Sequence, residues 1–89
     1  MRFTPGSLYI TPACLEAFQS AGVSPLALLI RHLSGDWGEV SPGDAKENEL
    51  SVKHGWRIMS VYTIAPGVTV WLITEADRAS STFLLPGDY

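Results

Sequence analysis

Three Ser/Thr-Pro dipeptides, Thr11-Pro12, Ser24-Pro25 and Ser41-Pro42, constrain the first half of this chain more than any other feature. Each sets a hydroxyl that can accept from a free backbone N–H ahead of a proline whose missing N–H costs nothing at the first helical position. A glycine able to turn left-handed follows each one, Gly22, Gly35 and Gly55. The starts and stops predict helices over 12–21, 25–34 and 42–54. Leu15 and Phe18 give the first helix an apolar side. In the second, Leu26, Leu29, Ile30 and Leu33 have the spacing of one buried stripe, leaving Ala27, Leu28, Arg31 and His32 outward. The third pairs Ser41 with Asp44 as a cap, ends in Lys53 and His54 as the helix dipole prefers, and has an apolar face thin enough for a surface position.

At Trp56 the period changes from helical to alternating. Runs from Trp56 to Ile64 and Val68 to Glu75 are rich in β-branched and aromatic residues around an Ala65-Pro66-Gly67 turn, and a third runs from Ser80 to Leu85. Together they predict an α+β fold in one domain over 1–89: N-terminal helices within 11–54, packed on a three-stranded antiparallel meander within 56–86. Leu8-Tyr9-Ile10 offers a further short strand. Trp56, Ile58, Tyr62 and Ile64 share one face of the first run and Met59 and Val61 the other; Val68, Val70 and Leu72 oppose Trp71 and Ile73 in the second. With neither face polar, the side the helices leave bare is covered by the third helix and loops, by a partner protein or by a second copy forming a homodimer through the sheet.

Charge narrows the function. Six basic against nine acidic side chains give net charge −3, which disfavours nucleic acid as a partner. A single cysteine and two histidines far apart in sequence predict no disulfide, no metal site and no cofactor. No apolar run is long enough to span a bilayer and no signal peptide opens the chain, so a cytoplasmic protein is expected. Ala21-Gly22-Val23-Ser24 between two helices suggests the turn of a helix-turn-helix, but Phe18 stands where that motif wants a small residue. An αα-hairpin is the plainer expectation.

Two segments hold the candidate partner-binding residues. In Gly35-Asp36-Trp37-Gly38-Glu39, Trp37 is either an aromatic anchor flanked by Asp36 and Glu39 or a plug folded over the core with its N–H on a carbonyl. Glu75, Asp77 and Arg78 follow the second strand. Five acids and one lysine between Asp36 and Glu49 could imitate a phosphate track, which would suit an inhibitor of a nucleic-acid enzyme. A catalytic alternative, a small nuclease-like enzyme or toxin, would use His54, Asp77 and Arg78. Cys14, in the first turn of its helix, sits where the dipole could lower a thiol pKa, although a lone buried cysteine more often packs as a small hydrophobe.

Gly35-Asp36-Trp37-Gly38, Asn48-Glu49, Arg57 to Tyr62, Trp71 to Arg78, Leu84-Leu85-Pro86 and Tyr89 together resemble a group of small bacterial proteins of plasmids and integrated elements. Ala79 and Ser81 depart from the group's pattern, which favours hydroxyl-bearing residues or threonine there. Some members bear the label of a modification subunit of type I restriction systems, yet 89 residues hold no cofactor-binding α/β sheet and no methyltransferase motif. The resemblance implies a setting, mobile DNA in a bacterial cytoplasm, and no catalytic residue. The expected function is a non-catalytic protein-binding module, an inhibitor of a host defence complex such as CRISPR or restriction machinery; a DNA-binding regulator is the third reading.

Overall fold

In the computed structural model, which describes residues 1–89, the helices run Pro12–Ala21 (α1), Pro25–Leu33 (α2) and Pro42–His54 (α3). Thr11 and Ser41 accept from the N–H groups of Cys14 and Asp44, whereas Ser24 makes no side-chain cap and leaves Pro25 alone to mark that start. Gly22 and Gly55 end α1 and α3 at φ of 68° and 74°; α2 stops two residues before Gly35.

Four strands form one sheet: Ser7–Ile10 (β1), Ile58–Ala65 (β2), Val68–Thr74 (β3) and Ser80–Leu84 (β4). Their order is β1-β4-β3-β2, with β2, β3 and β4 the expected antiparallel meander. The meander is incomplete as a description, because β1 adds to β4 in parallel and makes the sheet mixed. Parallel addition needs a long crossover, which the three helices supply. Gly6, at φ 65°, lets the chain pass so close to Ala79 that a Cβ there would lie 2.3 Å from its carbonyl, and Ser7 N–H then donates to Ala79 O.

The inward face of the sheet carries Tyr62, Ile64, Val70, Leu72 and Phe83, which pack with Cys14 and Phe18 of α1 and Leu28 of α2. Each such side chain contributes about 1.5–3 kcal/mol on leaving water. Trp56, expected on this face, lies before β2 and is 50% exposed, stacked on His54.

The rotation of α2 differs from the expected stripe. Leu28, His32 and Leu33 are buried, while Leu26 and Ile30 are 61% and 66% exposed. Leucine spacing alone admits either rotation; the choice falls to His32, which finds hydroxyl partners only on the sheet. On the outer face Ile73 and Leu84 are buried, and a short 3-10 turn, Pro86–Asp88, packs against β3 with Tyr89 edge-on to Trp71 at 5.5 Å. The chain thus covers part of the second face itself.

Candidate functional site

A line of hydroxyls crosses the inward face beneath α2. Ser60 on β2, Thr74 on β3 and Ser81 on β4 are all buried, in strand positions otherwise filled by apolar side chains. His32 reaches down between them, Nδ1 2.6 Å from Ser60 Oγ and Nε2 2.9 Å from Thr74 Oγ1. Thr74 Oγ1 lies 2.7 Å from Ser81 Oγ, which donates to Pro5 O. Donor counting places one proton: Ser81 spends its hydrogen on Pro5, so Thr74 donates to Ser81 and accepts from His32 Nε2–H. Burial keeps the ring neutral, so Nδ1 accepts from Ser60 and both nitrogens are satisfied. Burial, and secondarily the positive charge of Arg78, lowers the imidazole pKa from 6.5 to about 4. Phe3 and Trp37 stand edge-on to the ring at 5.2 and 5.9 Å.

The Trp37 loop closes this region. Trp37 is only 6% exposed, so it is the plug and not a projecting anchor. Its Nε1–H donates to Glu49 Oε2 at 3.0 Å rather than to a carbonyl. The same carboxylate takes a two-pronged contact from Arg2, which ties the N-terminal arm to α3 and holds the Glu49 pKa below its ordinary value. Gly38 explains the second glycine of the motif: at φ 73° its backbone lies against β2, where a Cβ would fall 1.9 Å from Val61 O. Around it Val61 N–H donates to Trp37 O and Glu39 N–H to Val61 O, while Asn48 pairs with both the N–H and the C=O of Met59. The outward backbone groups of Met59 and Val61, along the outer edge of β2, are thus bonded within the chain.

The acidic stretch is largely spent on internal contacts. Asp36 binds Arg31 through two nitrogens, and that contact first, with the Gly38 N–H, lowers its pKa. Glu39 accepts from Thr63 Oγ1 and Glu49 from Arg2 and Trp37. Asp44 and Glu47 alone remain without an ion pair or side-chain partner, with Lys46 between them, which is too short a track to imitate phosphates.

The second candidate segment is a clamp. Arg78 adopts φ 59°, unusual for a residue with a Cβ, and its guanidinium donates to Trp56 O at 2.6 Å, Glu75 O at 3.0 Å and Ser51 O at 2.9 Å. It joins the C-terminal end of α3 to the β3–β4 turn, where a cation also suits the helix dipole. Asp77 accepts from Ala79 N–H within the turn, and Glu75 pairs with Arg57. His54 stacks on Trp56 at 4.9 Å, Arg78 is spent on backbone carbonyls, that of Trp56 among them, and Asp77 on Ala79 N–H, so no hydrogen bond or ion pair joins the three. No pocket opens at the turn. Cys14 is buried, and that burial, with a smaller effect of Asp88, pushes its thiol up to about 11, opposite to the lowering a helix N-terminus would give.

The features missed in sequence are the hydroxyl line and the outward side of α2. Ser60, Thr74 and Ser81 had a signal, polar side chains in the inward phase of three adjacent strands. The angle between α1 and α2, 105°, falls in the range of helix-turn-helix pairs. The outward side chains of α2 do not suit DNA: Leu26, Ala27 and Ile30 are apolar, and Arg31 is held by Asp36 and stacked over Tyr62. These elements define an α+β protein with a three-helix crossover and a buried histidine–hydroxyl line. No helix is long and apolar enough by itself to cross a membrane. No family model, curated protein or solved structure matches the chain.

Proposed function

We propose that this chain is a non-catalytic protein-binding module that docks a partner on the outward side of α2. The observation that carries the reading is the pair Leu26 and Ile30, 61% and 66% exposed and one turn apart, with Ala27 beside them. Each would contribute about 1.5–3 kcal/mol on burial, and the Arg31–Asp36 ion pair supplies a polar rim. The resemblance to mobile-element proteins supports a bacterial cytoplasmic setting, with inhibition of a host defence complex as the specific role. Of the expected partner-binding residues, Asp36 alone borders this side of α2; Trp37 and Arg78 act by holding the fold.

The test is a double variant, Leu26→Glu with Ile30→Lys, used beside wild type as bait in a host lysate. Wild type enriches a protein that the variant loses, while both melt at the same temperature. Identical enrichment with both baits sinks the reading.

A further inference from the structure

The two edges of the sheet are treated differently. The β2 edge is bonded at Met59 and Val61 by Asn48 and by the Trp37–Glu39 bridge, as described above. The β1 edge has no such cover. Ser7 and Thr11 N–H donate to Ala79 and Phe83 of the β4 side, so by strand alternation residues 7, 9 and 11 face β4, while Leu8 and Ile10 turn their N–H and C=O groups outward. No turn, loop or side-chain hydrogen bond reaches those outward groups. All four β1 residues keep some exposure, and Tyr9, on the outer face, is 57% exposed.

Natural proteins blunt open edges by keeping them very short or with a lysine, an internal proline or a bulge. Ser7-Leu8-Tyr9-Ile10 is short, at four residues, but carries no lysine, proline or bulge and pairs with β4 without a register break. We propose that β1 is a self-association edge, on which a second copy of this chain adds its own β1 antiparallel and joins the two sheets into one.

The strand itself selects the register. With the two-fold axis at Tyr9, Leu8 meets Ile10 of the second copy as a hydrogen-bonded pair, N–H to C=O in both directions, and Ile10 meets Leu8 likewise. Every outward polar group of β1 is then satisfied. Tyr9 faces Tyr9 of the second copy at the non-hydrogen-bonded position, where side chains stand about 5 Å apart at Cβ and aromatic pairs are favourable. On the inner face Leu8 and Ile10, which already pack at the margin of the core, extend it across the junction. Shifting the axis to Leu8 or Ile10 would leave outward groups unpaired. An isologous interface of this kind closes at two copies. It lies on β1 and is independent of the α2 reading.

The experiment is sedimentation equilibrium over micromolar to millimolar concentration, combined with amide exchange by NMR, on wild type and Tyr9→Lys. Tyr9 is exposed and on the outer face, so lysine leaves the monomer folded but sets like charges directly opposite across the axis. Wild type is expected to approach twice the 9.7 kDa chain mass. The Leu8 and Ile10 amides, which no acceptor within the chain serves, should gain protection in step with the dimer. Tyr9→Lys should raise the dissociation constant about tenfold or more and return both amides to fast exchange. Wild type that stays monomeric throughout overturns the proposal. So does a dimer in which the Leu8 and Ile10 amides exchange freely.

Discussion

Lowering the pH should weaken this fold through His32 before any carboxylate is involved. The folded imidazole is held neutral, with its pKa brought from 6.5 to about 4 by burial and by the charge of Arg78. A depressed folded pKa means that the unfolded chain takes up the proton first. The stabilisation is complete above 6.5 and is lost as the pH falls toward 4. The slope is that of one proton, about 1.4 kcal/mol per pH unit, and the whole loss is about 3 kcal/mol. For a domain of this size that corresponds to a fall of about 15 °C in Tm. Asp36 and Glu49, held low by Arg31 and Arg2, keep their contributions until the pH drops through their ordinary values of 3.8 and 4.5, so most of the window belongs to His32. The assay is urea unfolding followed by tryptophan fluorescence at several pH values between neutrality and 4.5. His32→Gln, which keeps a donor and an acceptor but cannot titrate, should lose about 2 kcal/mol at neutral pH and show a slope reduced by about one proton. A variant with the wild-type slope would refute the reasoning, as would ring nitrogen shifts showing a proton on Nδ1 at neutral pH.

Other substitutions test the clamp and the loop. Arg78→Ala loses the guanidinium bonds while keeping the left-handed backbone cost, and Arg78→Gly loses the bonds but relieves that cost; glycine should therefore be the more stable of the two by about 1 kcal/mol in chemical denaturation. Gly38→Ala drives a Cβ into Val61 O and should cost about 2 kcal/mol or more, with faster amide exchange at Val61 and Glu39. Trp37→Ala removes the plug over His32 and should lower stability by about 3 kcal/mol in a thermal melt.

Most of the backbone was legible because its signals are local. Pro12, Pro25 and Pro42 open the helices, Gly22 and Gly55 close two of them, and Pro66-Gly67 turns the hairpin, since each acts through its own φ or its own missing N–H. The pairing of β1 with β4 was not legible, because a four-residue strand specifies its own extension but neither its neighbour nor its direction. The rotation of α2 was misjudged for a related reason. Its leucines fit two rotations, and only three hydroxyls on strands far along the chain distinguish them. At the candidate site, residue types pointed to the right segments but not to their roles. Trp37 and Arg78 look like recognition groups in sequence, yet the indole faces Glu49 and the guanidinium faces backbone carbonyls. Leu15, Leu26 and Ile30, read as core, are among the apolar groups left outside.

Docking of a partner on the outward side of α2 is open to site-specific photocrosslinking. A photoreactive residue is placed at Ile30, with a control at exposed Lys46 on α3, and each form is irradiated in host cells. A discrete crosslinked species is expected from position 30, absent from position 46 and abolished by Leu26→Glu in the same chain. No crosslink from position 30, or the same species from both positions, would contradict docking there.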